Sequence, residues 1–146
     1  MKPEYIIVHF SESTDRGGYS IELIDRDHKK RGFQPRITPT GKKVYFGYHC
    51  YINRWGAKSF VRPTSVNGQH CKGYNDKALG ICVEGLNDVL NDDTFQPLLD
   101  VVRLWMIAYK IPVERVLGHK EADPSKKSNC PNFDMNAFRE ILSNLE

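Results

Sequence analysis

Three side chains that can bind a transition metal lie far apart in this sequence: His9, His119 and Cys130. His9 lies near the end of an apolar run, His119 follows a glycine, and Cys130 precedes a proline. Two imidazoles and a thiolate suit Zn²⁺, and three protein ligands leave a fourth position for water. If the fold brings these residues together, their types therefore indicate an open, catalytic zinc site.

The elements that must position these residues alternate between strands and helices. Apolar, β-forming segments predict strands at residues 5–10, 44–53, 79–84 and 113–118, and a turn at residues 53–56 leads into a further hairpin strand that runs to about Arg62. We predict helices at residues 20–31, from 96 to the proline at 112, and after Asp134. The chain has no internal repeat or linker. We therefore expect one α/β domain over residues 1–146, with a mixed central β-sheet flanked by helices on both faces.

Capping residues and apolar stripes support the helices. Ser20 is a suitable N-cap for the first helix, and Asp134 is suitable for the last. His28 lies in the last turn of the first helix, where an imidazolium would suit the helix dipole. The core-facing residues that we expect in the two later helices are Leu98, Val101, Val102, Trp105, Ala108 and Tyr109, then Phe138, Ile141, Leu142 and Leu145.

The predicted elements give the three candidate ligands a common location. His9 lies at the end of the first strand, and His119 follows the last strand. Cys130 lies in the loop before the final helix. Because neighbouring strand ends meet at one edge of a sheet, this arrangement can bring distant residues into one cleft.

Composition restricts the range of partners. The net charge is +3 and the basic residues are scattered, so we expect a solvated surface and no nucleic-acid partner. No segment approaches the ~20 apolar residues of a membrane span, and the N-terminus lacks a signal-peptide pattern. We therefore expect a protein that is made in the cytoplasm and does not bind a membrane. We also expect it to be a monomer. The four cysteines could form two disulfides, but in a cytosolic chain of this size reduced thiols or metal ligation are favoured. The absence of a CxxC pair argues against a zinc-finger module.

Four segments resemble one known family when they are taken in order. They read Ile-Val-His-Phe-Ser at residues 7–11, Gly-Tyr-His-Cys-Tyr-Ile at 47–52, Gly-Gln-His-Cys-Lys-Gly-Tyr-Asn at 68–75 with Leu-Gly-Ile-Cys-Val-Glu-Gly at 79–85, and Gly-His-Lys-Glu at 118–121 with Cys-Pro-Asn-Phe-Asp at 130–134. The chain thus resembles the zinc-dependent N-acetylmuramoyl-L-alanine amidases of the type-2 family, which includes phage endolysins and is related to peptidoglycan recognition proteins.

The resemblance implies a role for each matched residue. One Zn²⁺ per chain would be held by His9, His119 and Cys130, and Tyr48 would take part in catalysis beside the metal-bound water. The substrate would be bacterial peptidoglycan, cut at the amide between N-acetylmuramic acid and L-alanine, so the enzyme would act on the cell wall. The substrate-binding residues would be His70, Tyr74 and Asn75.

The family usually has a catalytic lysine two residues before the zinc cysteine, and this chain has Ser128 there. Lys127 is the best substitute, with Lys126 next, so the assignment of the catalytic lysine to Lys127 stays open. On the sequence alone, His49 is as plausible a functional residue as Tyr48.

Two other functions remain open. A non-catalytic peptidoglycan-binding module would have the same fold, although such relatives typically lack the zinc cysteine. A lysozyme-type glycosidase would need two carboxylates that flank the scissile bond. Glu12, Glu84 and Glu121 lie near the motifs but form no persuasive pair.

Overall fold

A computed structural model of the chain describes residues 1–13, 18–85, 90–125 and 130–145. The strands in these ranges are β1 (Tyr5–Phe10), β2 (Arg36–Ile37), β3 (Lys43–Val44), β4 (Cys50–Ile52), β5 (Lys58–Phe60), β6 (Ala78–Val83) and β7 (Val116–Gly118). The helices are α1 (Ile21–Lys30), α2 (Phe95–Tyr109), α3 (His119–Ala122) and α4 (Met135–Asn144). None of the described helices is long and apolar enough to cross a membrane.

Five of the strands form a mixed sheet in the order β5-β4-β6-β1-β7. β1 pairs in parallel with both β6 and β7, and β4 pairs in parallel with β6. β5 is antiparallel to β4, which confirms the predicted hairpin. β2 and β3 form a separate antiparallel pair. β1 thus lies between two parallel neighbours, so the residues that follow these strands meet at one edge of the sheet.

Helices cover both faces of this sheet, as predicted. β1 and β6 are buried almost throughout, which is typical of parallel strands covered on both sides. Ile6, Val8 and Phe10 belong to a core shared with α2 and α4. On the other face, Ile24 of α1 packs in a cluster with Cys82 of β6.

The helix ends confirm the predicted caps. The Ser20 hydroxyl accepts a hydrogen bond from the backbone N–H of Leu23 at 3.2 Å. The Asp134 carboxylate accepts from the N–H groups of Asn136 and Ala137 at 2.9 and 3.1 Å. Each side chain thereby satisfies backbone donors that have no partner within the helix.

The predicted strand over residues 44–53 is wrong in its middle, since only Val44 and residues 50–52 are extended in strands. Side chains of α1 take the backbone donors that a strand would use. The Asp25 carboxylate accepts from the N–H groups of Tyr45 and Phe46, and His28 Nδ1 accepts from the N–H of Gly47. This segment therefore pairs with helix α1 and not with a neighbouring strand.

The predicted strand over residues 113–118 is too long. Residues Val113–Arg115 form a short 3₁₀ turn, in which the Arg115 N–H donates to the carbonyl of Pro112 at 3.0 Å. The strand begins only at Val116.

Four residues predicted to face the core lie at the surface. They are Ala108 and Tyr109 at the end of α2, and Ile141 and Leu145 in and just after α4. Ile141 and Leu145 are 39% and 42% exposed. The buried stripe of α4 consists of Met135, Phe138 and Leu142, which are spaced by three and four residues. The stripe is narrow because α4 packs against the domain along one side only.

Candidate metal centre

The parallel strand register places two of the candidate ligands side by side. Val8 of β1 pairs with Gly118 of β7, and His9 and His119 are the residues that follow this pair. His119 is the first residue of α3. The centroids of the two imidazole rings lie 4.6 Å apart. Two residues that are distant in sequence are thus brought together by backbone pairing.

Cys130 completes the cluster from the segment that precedes α4. Its carbonyl accepts a hydrogen bond from the N–H of Lys120 at 2.8 Å, which ties it to α3. Its sulfur accepts from the N–H of Phe10 at 3.3 Å and lies 4.0 Å from His9 Nδ1. One ligand atom from each of His9, His119 and Cys130 lies within 4.8 Å of the others. The structure therefore brings together the three residues that the sequence predicted.

These distances and donor types fit a zinc ion. Ligand atoms that bind one tetrahedral Zn²⁺ at about 2.0–2.3 Å lie roughly 3.5 Å from one another, so the cluster needs only a small contraction. Burial, and next the nearby rings of His70 and His119, lower the pKa of His9 well below its ordinary value. The neutral imidazole is the form that binds metals. Burial raises the pKa of the Cys130 thiol to about 12, so its thiolate requires a nearby cation.

His70 contacts the metal-ligand cluster directly. Its Nδ1 lies 3.0 Å from His9 Nε2, and its Nε2 lies 3.2 Å from the carbonyl oxygen of Ala78. The residue is only 9% exposed, although one side of it lines the cavity beside the cluster. Burial lowers the pKa of His70 to about 3, so the ring is neutral. The substrate contact expected for His70 stays a prediction.

Glu121 and Arg139 fix the helix that carries His119. The Glu121 carboxylate accepts a hydrogen bond from the N–H of Gly118 at 2.9 Å. It also forms a bidentate pair with the Arg139 guanidinium at 2.7 and 2.8 Å. Arg139 further donates to the carbonyl of Val116 at 2.9 Å. This pair therefore joins β7, α3 and α4 next to the candidate ligand His119.

Tyr48 lies beside the cluster, as the sequence predicted. The centroid of its ring is 5.0 Å from that of His9, and it lines the same cavity. Burial raises its pKa well above the ordinary value, and the neighbouring thiols of Cys82 and Cys130 raise it further. Tyr48 is therefore a neutral phenol that can donate a hydrogen bond at neutral pH. Its catalytic role stays a prediction.

His49 lies deeper in the fold than Tyr48. It is fully buried, with Nδ1 accepting a hydrogen bond from the N–H of Gly80 and Nε2 donating to the carbonyl of Val66. Both ring nitrogens are thus used by the backbone, which favours Tyr48 as the functional residue of the pair.

An open cavity of about 180 Å³ extends from the cluster to the surface. Its lining includes Ser11 and Glu12 after β1, and Arg31, Phe33 and Gln69 at the rim. These three rim residues were not predicted from the sequence. The signal for Arg31 and Phe33 was the helix end at Gly32, which turns the chain back toward the cleft, whereas Gln69 was recognisable only as the neighbour of His70.

Tyr74 and Asn75 do not line this cavity in the described part of the chain. The Tyr74 ring packs edge-on against Tyr5 at 5.2 Å. The side-chain oxygen of Asn75 accepts from the N–H groups of His70 and Cys71 at 2.8 and 2.9 Å, so Asn75 shapes the loop that carries His70. Their substrate-binding role stays a prediction.

The two candidate lysines, Lys127 and Lys126, lie outside the described residues. The assignment of the catalytic lysine therefore stays a prediction.

The carboxylates do not form a glycosidase pair within the described residues. Glu84 is bound to Arg54 and accepts the N–H of Tyr19, and Glu121 is bound to Arg139. Glu12 is the only described carboxylate that lines the cavity. A mechanism that places two carboxylates on opposite sides of a glycosidic bond therefore has no support here.

The fold and this cluster define a class of small α/β domain with a cleft at the sheet edge, where three side chains could bind one metal ion. A profile described as N-acetylmuramoyl-L-alanine amidase matches residues 1–133. The chain belongs to that amidase family. The resemblance inferred from the four sequence segments is thereby confirmed.

Individual relatives agree with the family assignment. The endolysin of Enterobacteria phage T3 is 28% identical over 140 residues, which cover 94% of this chain and 85% of the relative. The endolysin of Escherichia phage T7 is 28% identical over 142 residues, with 92% and 84% covered. Among solved structures, the N-acetylmuramoyl-L-alanine amidase LysC from Clostridium intestinale URNW superposes with a TM-score of 0.75 at 28% identity, covering 98% of this chain and 87% of LysC.

Proposed function

We propose that this protein is a zinc-dependent hydrolase of bacterial peptidoglycan that cuts the amide between N-acetylmuramic acid and the first L-alanine of the stem peptide. The observation that carries the proposal is the convergence of His9, His119 and Cys130 within 4.8 Å beside an open cavity. Membership of the amidase family and the similarity to phage endolysins support the substrate and the place of action at the cell wall. We expect the domain to act as a monomer.

His9, His119 and Cys130 would hold the zinc ion. When bound, zinc supplies Lewis acidity and lowers the pKa of a coordinated water toward about 7. Two neutral imidazoles and one thiolate leave a net charge of +1 on the centre, which favours an anionic nucleophile and a negatively charged transition state. The N–H of Phe10, 3.3 Å from the sulfur, stabilises the thiolate form of Cys130.

Tyr48 would act on the oxygen of the scissile amide. Its phenol is neutral and borders the cavity beside His9. A neutral phenol can donate a hydrogen bond to an amide oxygen as negative charge develops there, and this interaction is stronger in the transition state than in the ground state. Because the raised pKa keeps its proton, Tyr48 is suited to donate a hydrogen bond and not to act as a general base.

The proton that the leaving amine requires would come from water or from a cationic group at the cleft. Lys127 and, as the alternative, Lys126 are our candidates for that cationic group, on the basis of the family resemblance alone. The rim residues Arg31, Phe33 and Gln69 would bind the peptide and glycan on either side of the bond. The guanidinium of Arg31 lies over the ring of Phe33, 5.0 Å from the ring centroid. This cation–π contact would keep the two rim residues together.

Digestion of purified peptidoglycan tests this proposal. We expect new L-alanine amino termini, with no new reducing sugar ends, and we expect a strong chelator to abolish them and added zinc to restore them. New reducing ends would indicate a glycosidase. Binding to peptidoglycan without cleavage by the zinc-loaded protein would indicate a recognition module, and both results would contradict the proposal.

Two buried cysteines provide a matched pair of variants for this assay. Cys130→Ala removes a proposed ligand, and we expect it to lose bound zinc and amidase activity together. Cys50→Ala removes an equally buried free thiol that lies in the core and not in the cavity. We expect Cys50→Ala to keep both properties, which separates loss of a ligand from general damage to the core.

A further inference from the structure

We propose that His70 is a positioning residue that fixes the tautomer of His9, so that His9 presents an unprotonated Nδ1 toward Cys130. The inference rests on the proposed function, since it concerns the metal site of that activity. It assigns to His70 a role distinct from contact with substrate. The role depends on a chain of hydrogen bonds that runs from a backbone carbonyl to the ligand atom.

The backbone determines the tautomer of His70. A carbonyl oxygen can only accept a hydrogen bond, so the 3.2 Å contact between Ala78 O and His70 Nε2 requires a proton on Nε2. A neutral imidazole carries one proton, which the contact with Ala78 places on Nε2 of His70. Its Nδ1 is therefore an acceptor.

His70 in turn determines the tautomer of His9. His9 Nε2 lies 3.0 Å from the accepting His70 Nδ1, so the proton of His9 is on Nε2. The remaining lone pair of the ring is on Nδ1, the atom that lies 4.0 Å from the sulfur of Cys130. The nitrogen that faces the cluster is thus free of its proton before any metal arrives. Metal-binding histidines commonly donate the other ring N–H to an acceptor, and here the acceptor is a second histidine.

The fold holds the His70 ring in place for this task. A Cβ atom built on Gly80 would lie 2.6 Å from ring atoms of His70, and one built on Gly68 would lie 2.5 Å away. Both glycine backbones therefore lie close against the ring, and a side chain at either position would displace it. The side-chain oxygen of Asn75 accepts a hydrogen bond from the backbone N–H of His70 at 2.8 Å, and this bond fixes the backbone of His70. Because the His70 ring is already fixed in this way, His70 loses little rotamer freedom when it accepts the hydrogen bond from His9.

His49 supplies a matched control. It is fully buried, and it also accepts a backbone hydrogen bond at Nδ1 and donates one from Nε2 to a carbonyl. Both of its ring nitrogens are thus bonded to the backbone, and neither is bonded to His9. His70→Leu and His49→Leu therefore remove similar buried imidazoles, and only the first removes the acceptor of His9. His70→Asn restores that acceptor, because the asparagine oxygen replaces Nδ1.

The first measurement is ¹H–¹⁵N correlation of histidine rings in the zinc-free protein, which reads the proton position directly. We expect His9 to be protonated at Nε2 in the wild type and in His70→Asn, and to lose this fixed tautomer in His70→Leu. A wild-type His9 protonated at Nδ1 would overturn the inference. Because no metal is needed, this result is independent of whether the proposed amidase activity is correct.

The second measurement is the zinc dissociation constant, obtained by competition with a chromophoric chelator. We expect His70→Leu to bind zinc about 10–100-fold more weakly, and His70→Asn and His49→Leu to stay within a few-fold of the wild type. Equal weakening in His49→Leu, or unchanged affinity in a folded His70→Leu, would overturn the role. If His70→Leu does not fold, the ring spectrum of the wild type decides the question, since a His9 protonated at Nδ1 would overturn the inference.

Discussion

The sulfur of Cys130 lies 4.0 Å from Nδ1 of His9, although 121 positions separate the two residues. Two hydrogen bonds from backbone N–H groups hold this contact: the N–H of Phe10 donates to the sulfur, and the N–H of Lys120 donates to the Cys130 carbonyl. One bond anchors the cysteine to the end of β1 and the other to α3. The candidate ligand Cys130 is therefore held beside His9 and His119 by the backbone N–H groups of the residues that follow each histidine.

Removal of the Tyr48 hydroxyl tests its proposed role. We expect Tyr48→Phe to keep zinc and fold while kcat falls about 100-fold, because the phenol stabilises the developing negative charge. Zinc content and steady-state hydrolysis of a soluble muropeptide measure the two effects separately.

Tyr51→Phe is the control for that change. The Tyr51 hydroxyl donates to the carbonyl of Tyr19 at 2.7 Å and borders a different cavity. We expect it to lose about 1 kcal/mol of unfolding free energy and to keep its kcat. Equal kcat values in Tyr48→Phe and the wild type would contradict a catalytic role for Tyr48.

A methyl group on Gly80 should disturb the metal site without touching a ligand. The added Cβ would lie 2.6 Å from the ring of His70, so the ring must shift from its position beside His9. We expect Gly80→Ala to weaken zinc binding, with its effect on the His9 ring spectrum resembling that of His70→Leu. Isothermal titration with zinc measures the change.

Gly41→Ala separates that effect from backbone strain. Gly41 has φ +84, and a Cβ atom added there would meet no other atom within 4 Å, so the substitution strains a distant turn alone. We expect lower stability and normal zinc affinity. Weaker zinc binding in Gly41→Ala would show that the assay reports stability and not the position of His70.

The Glu121–Arg139 pair should make stability depend on pH. The hydrogen bonds from Arg139 are the main cause of the lowered pKa of Glu121, which is ordinarily 4.5. A depressed carboxyl pKa stabilises the fold above the ordinary value, and this contribution is lost as pH falls through the folded-state value. We expect Glu121→Gln to cost about 1 kcal/mol at pH 7, a modest amount because the carboxylate is partly exposed to screening water.

Urea unfolding at pH 7 and near pH 3 measures this difference, which should shrink at the lower pH. Glu4→Gln is the control, since Glu4 forms an exposed pair with Arg115 at 3.7 Å and should change stability little at either pH. A Glu121→Gln penalty that is the same at both pH values would contradict the assignment.

The sequence identified the three candidate ligands, which the fold brings together, because their signals are local. His9 follows a buried apolar run, and His119 follows the glycine that ends β7. The proposed positioning role of His70 could not be predicted in this way. Its partner His9 is 61 positions away, and the contact depends on the strand register and on the glycines that admit the ring.

Two other expectations failed because tertiary contacts overrode local patterns. Asp25 and His28 of α1 take the backbone donors of residues 45–47, so the expected strand is interrupted. The dipole argument for a charged His28 is wrong for a related reason. Burial lowers its pKa to about 4, and the neutral ring accepts a hydrogen bond from Gly47.

Zinc K-edge X-ray absorption on the zinc-loaded protein measures directly which types of atom bind the zinc ion and at what distances. We expect one sulfur scatterer at about 2.3 Å with nitrogen or oxygen scatterers at about 2.0–2.1 Å, including two histidine imidazoles. In Cys130→Ser the sulfur contribution should disappear, or zinc should be absent. A wild-type zinc shell without sulfur, or a sulfur scatterer that persists in Cys130→Ser, would contradict a zinc centre built from His9, His119 and Cys130.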